Sequence, residues 1–357
     1  MVRAEGTELS AEEYPLVSVV VPCRNEEAFI ERALASIRDN EWPRYRLEII
    51  VVDGMSTDRT REVVAALAAE DPRVRLLDNP ERFAGAAMRV GVAAARGDYI
   101  VRVDAHAEIP PDYLKTGLRL LRERPEVWAV GGPVDRLPAG KPARLVAALN
   151  SNVFATGNTP VRVGRAAGPV DAVLYPVWPR WVFERVGEFD ETLVRNQDDD
   201  FHFRLRRAGG VIYQLQEMRA RYYVRGSVAK FLRQYRQYAF WKIVVAKKHG
   251  RLLDWKPLVP LLFFGSLVLT AAGGLITPYA WYGTAALASA YGLADAVASA
   301  AVARKTRVLD FFKALAVFPL FHLNYACGMV AGFWASYVRR WTPRDIIERG
   351  IHSRLTR

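Results

Sequence analysis

Residues 257–277 run for 21 positions without one charged side chain. In a helix this is about the length that crosses the ~30 Å hydrocarbon core of a bilayer. Water would not tolerate such a surface, so this segment is expected to be a transmembrane helix. Residues 279–303 form a second apolar segment, broken only by Asp295. A third, residues 311–338, contains Lys313, Pro319, His322 and Asn324. The second reads as another span, and the third as a span or a re-entrant segment. Arg304, Lys305 and Arg307 follow the second segment, whereas the connection near Pro278 has no basic residue. Basic loops favour the cytosolic side, so a hairpin with both ends in the cytosol is expected. A full third crossing would put Arg339, Arg340 and Arg344 outside, against that tendency.

The charge balance supports a membrane location. The net charge is +12, the Asp and Glu residues thin out after Asp254, and the basic residues cluster beside the apolar segments. That pattern favours a membrane surface over nucleic acid. The polar, acidic first residues lack an apolar core, so no secretory signal is read there and the leading domain is expected in the cytosol. Cys23 and Cys327 lie far apart, which argues against a disulfide framework or a zinc site and for a reducing compartment. At 357 residues the chain suits one large domain with an appendage.

The first two thirds alternate between two periodicities. Residues 17–21 and 47–52 are apolar, β-branched runs that read as buried parallel strands. Between them, Phe29, Ile30, Leu34 and Ile37 recur at helical spacing over residues 27–39. The alternation continues with helix at 60–69, strand at 74–77, helix at 85–95 and strand at 99–103. Further helix is expected at 110–124, 182–186 and 199–208, strand at 128–132 and 211–215, and a loop at 137–142. The fold class is therefore α/β, a doubly wound and mostly parallel sheet, with its ligand site at the carboxyl ends of the strands.

Three groups of residues should carry chemistry. Asp53 and Asp104 each follow a buried strand, so both are expected at one sheet edge, where a nucleotide diphosphate and a divalent cation could be held. Asp104 and His106 stand two apart, a carboxylate and an imidazole suited to Mg2+ or Mn2+. Asp198, Asp199 and Asp200 sit together at a helix start. Helix capping accounts for one or two of them. Mutual repulsion tends to raise the pKa of at least one, which suits a general base acting on a hydroxyl. No Gly-x-Gly-x-x-Gly follows the first strand, which counts against a dinucleotide enzyme.

In order and spacing these residues resemble a known family. Val17-Ser18-Val19-Val20-Val21-Pro22 with Arg24-Asn25-Glu26-Glu27, Val51-Val52-Asp53-Gly54-Met55-Ser56-Thr57-Asp58, and Gly97-Asp98-Tyr99-Ile100 leading to Asp104 are similar to the inverting family 2 glycosyltransferases of GT-A fold. Asp104-Ala105-His106-Ala107 and Arg195-Asn196-Gln197-Asp198-Asp199 look like the succinoglycan-synthesis type of bacterial exopolysaccharide enzyme. The resemblance covers about residues 15–250. It implies that Pro22, Arg24, Glu26 and Asp53 hold the nucleoside, with Arg82 near the base or phosphates. Asp104 and His106 stand where the family's metal-binding D-x-D motif lies, with His in place of the second acid. Gln197-Asp198 matches the family's Glu-Asp pair, which makes Asp198 the expected base and Asp199 the second candidate. Gln237-Tyr238-Ala239-Phe240-Trp241 resembles the Q-x-x-R-W motif of polymerising synthases, in which Gln237 and Trp241, with Gln197, would help hold acceptor and pyrophosphate. Phe240 replaces its arginine, which favours transfer of a single sugar. Phe231, Tyr235, Tyr238, Trp241 and Ile243 among Lys230, Arg233, Arg236 and Lys242 also fit an amphipathic helix lying on the bilayer.

The organisation expected is a cytosolic GT-A domain over 1–225, an interfacial helix segment over 226–256, two or three transmembrane helices over 257–340, and a basic tail over 341–357. The implied activity moves one sugar from a nucleotide-sugar, uridine being the family's commonest base, to a membrane-associated, polyprenyl-linked acceptor at the inner membrane. Nothing in the residues excludes an oligomer. The alternatives are a non-catalytic membrane-tethered nucleotide-sugar binding protein and a processive polysaccharide synthase.

Overall fold

The computed structural model describes residues 14–157, 167–224, 226–252 and 255–351. The chain folds into two compact units, the first of Met1–Val134, Gly164–Glu191 and Phe201–Arg221, the second of Asp135–Val163, Thr192–Asp200 and Tyr222–Arg357.

The first unit is built on an eight-stranded sheet. Its strands are Val17–Cys23 (β1), Leu47–Asp53 (β2), Val74–Asp78 (β3), Tyr99–Arg102 (β4), Val127–Gly132 (β5), Gly168–Pro169 (β6), Leu174–Pro179 (β7) and Val211–Gln214 (β8), in the spatial order β3-β2-β1-β4-β7-β5-β8-β6. Every residue of β2 is buried, as is all of β1 but one, which is why both read as unbroken apolar runs. Helices Ile30–Arg38 (α1), Thr60–Glu70 (α2), Ala84–Ala94 (α3) and Tyr113–Glu123 (α4) alternate with the strands. α3 crosses β1 so closely that a Cβ at Gly91 would lie 2.3 Å from Val20 Cγ1.

Strands β1 to β4 run parallel, with Cys23 in register with Asp53 and Asp53 with Asp78. The loops after β1, β2 and β4 therefore open on one sheet edge, as the α/β pattern requires. β7 was not expected, because Pro176 and Pro179 punctuate it and proline cannot donate to a ladder. It runs antiparallel to both β4 and β5, and its register against β5 shifts between Val130 and Gly132. Pro176 falls within that irregularity. A Cβ on Gly131 would meet Leu174 O at 2.7 Å, so the bulge closes only over glycine. Below the sheet, Trp178, Phe183, Phe189 and Phe201 form an aromatic core, with Phe189 and Phe201 stacked at 4.5 Å.

The second unit is helical. It takes in the first turn of Gln197–Arg207 (α5), then Val228–His249 (α6), Val259–Gly273 (α7), Tyr279–Lys305 (α8) and Asp310–Phe333 (α9). Among the described residues, three helices, Lys256–Gly273, Tyr279–Lys305 and Asp310–Val338, are long and apolar enough to cross a membrane. The third runs unbroken through Pro319. Phe231, Tyr235, Ala239 and Ile243 of α6 are buried in one cluster with Phe318, Phe321 and Met329 of α9. Gly328 and Gly332 let the two helices meet, since a Cβ at either would lie 2.5 Å from Arg236 O or 2.6 Å from Phe240 O. This is small-residue packing of the kind membrane helices use.

Candidate functional site

At the sheet edge of the first unit, two loops lock together. The β1–α1 loop turns at Asn25, whose φ is 54°, and the β2–α2 loop at Met55, whose φ is 56°. Asn25 N donates to Ser56 Oγ at 2.8 Å, and Thr57 N donates to Asn25 Oδ1 at 2.8 Å. Glu26 N donates to Thr60 Oγ1 at 2.7 Å, and Arg59 N to Glu27 Oε2 at 3.0 Å. Asparagine tolerates the left-handed region, and here its backbone N–H and side-chain Oδ1 both reach the second loop, so one residue braces the two.

Asp53 sits inside this brace. Its side chain is 0% exposed. Oδ2 accepts from Ser56 N and Arg61 Nη1, both at 2.9 Å, while Oδ1 accepts from Ser56 Oγ. Burial pushes the carboxyl up, but these donors outweigh it and hold Asp53 below the usual carboxylate range. The same burial, with the charge of Asp53 beside it, pushes the Cys23 thiol well up. Pro22 lies within β1, and Arg24 and Arg82 are exposed, Arg82 on a left-handed turn at φ 65°.

Glu26 and His106 come together although 80 residues separate them, with His106 Nδ1 3.1 Å from Glu26 Oε1. A carboxylate on one ring nitrogen of a neutral imidazole leaves the lone pair on the other, the arrangement metal-binding histidines show. Asp104 Oδ1 accepts from Arg102 Nε at 3.0 Å and Nη2 at 2.9 Å. Among the described residues no three His, Cys, Asp or Glu side chains cluster to hold a metal. A carboxylate and an imidazole nonetheless suit a divalent cation whose remaining ligands come from phosphate oxygens.

In the second unit, Asp198, Asp199 and Asp200 occupy the first turn of α5, where the helix dipole favours negative charge. Asn196 enters that turn at φ 61°. Asp198 Oδ1 accepts from Asp199 N at 3.0 Å. Asp199 Oδ2 accepts from Lys242 Nζ at 2.8 Å and Asn196 Nδ2 at 3.1 Å. Asp200 is fully buried, with Lys248 Nζ and His249 Nε2 both 2.8 Å from Oδ1. Burial would lower the Lys242 pKa, but Asp199 outweighs it and holds the ammonium above the usual lysine range.

Gln237 Oε1 accepts from Arg195 Nε at 3.2 Å, so the α6 motif touches the residues that lead into the acidic turn. Gln197 Oε1 and Trp241 Nε1 are buried without a hydrogen-bond partner among the described residues. Phe240, standing at the arginine position of the synthase motif, is buried against Trp241. A small hollow of about 20 Å³ is lined by Asn196, Asp199 and Lys242 on its polar side and by Val245, Leu252, Pro257 and Met329 on its apolar side.

Sequence reasoning missed Arg61, Lys242, Lys248 and His249. Arg61 could have been found as a cation three residues past Asp58, in the first turn of the helix that follows the loop after Asp53. The α6 cations carry no local signal, because their partners lie 43 to 49 residues away.

Residues 18–161 match the model of Glycosyl transferase family 2. The succinoglycan biosynthesis protein ExoA of Rhizobium meliloti is 29% identical over 75% of this chain and 83% of its own length. A Methanococcus voltae enzyme, dolichyl N-acetyl-alpha-D-glucosaminyl phosphate 3-beta-D-2,3-diacetamido-2,3-dideoxy-beta-D-glucuronosyltransferase, is 26% identical over 71% of this chain and 81% of that one. Among solved structures, the mannosyltransferase PcManGT from Pyrobaculum calidifontis, in complex with GDP-Man and Mn2+, superposes with a TM-score of 0.56 at 23% identity, over 90% of this chain and 88% of that one. That last likeness is one of fold, and it bears out the GT-A-type α/β sheet.

Proposed function

Because this chain is a glycosyltransferase built on a family 2 domain, we propose that it transfers one sugar, with inversion, from a nucleotide-sugar to a lipid-linked acceptor at the inner membrane. The observation that carries this reading is the acidic turn Asp198–Asp200, held by α6, which itself packs on the apolar helix α9. A base anchored to a membrane helix suits an acceptor hydroxyl presented at a bilayer. The Methanococcus relative acts on a dolichyl-linked substrate, and the hollow beside Asp199 joins polar and apolar walls.

In this reading Asp198 takes the proton of the acceptor hydroxyl as its oxygen attacks the anomeric carbon. The bond to the nucleotide diphosphate breaks, and an α-linked donor yields a β product. Pro22, Arg24, Glu26, Asp53 and Arg82 serve the nucleoside and phosphates. Asp53 does so indirectly, since its oxygens already hold Ser56 and Arg61. Gln197 and Trp241 each carry a buried polar atom that a bound ligand could satisfy, with Gln237 steadying Arg195. Asp104 and His106 would hold Mg2+ or Mn2+, which offsets the charge of the diphosphate. Phe240 leaves no cation where polymerising synthases place one, which supports single transfer. The division into a cytosolic domain to about residue 225, an interfacial helix, spans to about 340 and a basic tail belongs to the same reading.

The test is release of nucleoside diphosphate from a panel of UDP-, GDP- and TDP-sugars by the detergent-purified protein, with Mn2+ or Mg2+ and lipid extract. One donor should be turned over, and Asp198→Asn should lower that rate by about 10²–10⁴. An Asp198→Asn variant as active as the parent would remove the base.

A further inference from the structure

Three consecutive carboxylates on one helical turn repel one another, and the second unit disposes of each differently. Asp200 is shut between Lys248 and His249, while Asp199 is bound by Lys242 and Asn196. Asp198 folds back onto the N–H of Asp199. The partners are dealt out in order along α6: Gln237 to Arg195, Tyr238 O to Asn196 Nδ2, Lys242 to Asp199, then Lys248 and His249 to Asp200. About one third of the Lys242 and Asp199 side chains is exposed, 33% and 36%, so the pair borders solvent and the hollow rather than the core.

We propose that Lys242 is a positioning residue for the transfer: by neutralising Asp199 it lets Asp198 bind and release its proton without a like charge beside it. This deepens the reading of Asp198 as the base and rests on it. Among the described residues, the titratable or charged groups of this neighbourhood include Arg195, Tyr235, Tyr238, Tyr325 of α9, and Asp200 with its two α6 partners. Without the ammonium, Asp198 and Asp199 become a coupled pair, and one proton is held to higher pH. A general base must be ionised to act, so the acidic limb of the rate profile should move upward.

The experiment is kcat/KM from about pH 5 to about pH 9, which reports groups of the free enzyme. It uses the donor turned over in the panel and compares the parent with Lys242→Met, Lys242→Arg and Lys242→Met combined with Asp199→Asn. Asp198→Asn is the control for the base, and thermal unfolding in the same detergent checks each variant's folding. Lys242→Met should raise the acidic limb by about one pH unit. Lys242→Arg should leave it in place, and adding Asp199→Asn to Lys242→Met should bring it back. An unmoved limb in a folded Lys242→Met, or a pH-independent loss that Asp199→Asn does not relieve, overturns the inference and leaves the base intact. Turnover that survives Asp198→Asn, or a panel with no turnover, removes the base and this inference with it.

Discussion

At the sheet edge Asp53 is shut in by its own loop, whereas in the α5 turn Asp199 and Asp200 are held by cations from another helix. The partners of Asp53 stand 3 and 8 residues away, and that of Asp199 stands 43 away. The first device is complete once β2 and α2 are joined. The second exists only while α6 is docked, and α6 is docked by the glycines of α9. One unit thus fixes its carboxylate locally, and the other holds carboxylates whose setting depends on packed apolar helices.

The largest effect should come from breaking that dependence. Gly332→Leu in α9 drives a side chain into Phe240 O, a backbone atom that cannot yield by a rotamer change. Overpacking of this kind costs about 3 kcal/mol, and thermal unfolding in detergent should show a midpoint lower by several degrees. A variant as stable as the parent would mean that α6 does not need this seat, and the contrast between the two clusters would fail.

Next in size is Asp53→Asn. It weakens the bonds from Ser56 and Arg61, although Arg61 keeps its pair with Asp78 at 2.8 Å, and should cost about 1–2 kcal/mol near neutral pH. The sign with pH follows from the depressed pKa of Asp53. Its stabilisation is present above the unfolded carboxylate value of about 4 and is lost as pH falls through the lower folded value. The gap between parent and variant should therefore be full at neutral pH and narrow below about pH 4. A gap constant with pH would show that the loop holds Asp53 by shape rather than by charge.

What the sequence disclosed follows this division. β1, β2, α1 and α3 were legible because each buries a periodic or continuous run of its own residues, and the apolar helices because each is a long stretch nearly free of charge. Asp53 and Asp104 could be placed at one edge because parallel strands bring their carboxyl ends together. β7 was illegible because the proline that hides it is accommodated by a bulge, and a bulge depends on the neighbouring strand. Lys242 read only as part of the polar face of an amphipathic helix, since an ion pair across 43 residues has no period. Glu26 and His106 were each noticed, but only the folded loops show that they meet.

The smallest effect tests whether the sheet-edge device is local in fact. Asp58 Oδ1 accepts from Thr60 N at 3.0 Å and so caps the first N–H of α2, while Oδ2 accepts from Glu27 N at 3.3 Å, across to the other loop. Asp58→Ala removes both acceptors and should cost about 1 kcal/mol, the usual worth of a cap. Asp58→Asn keeps one amide oxygen for Thr60 N and should recover most of that loss, because the cap needs an acceptor and not a charge. Thermal unfolding of the two variants decides the point. If the asparagine variant is as weak as the alanine one, the bond to Glu27 carries the effect, and the brace between the loops, rather than the cap within one of them, holds Asp53 in place.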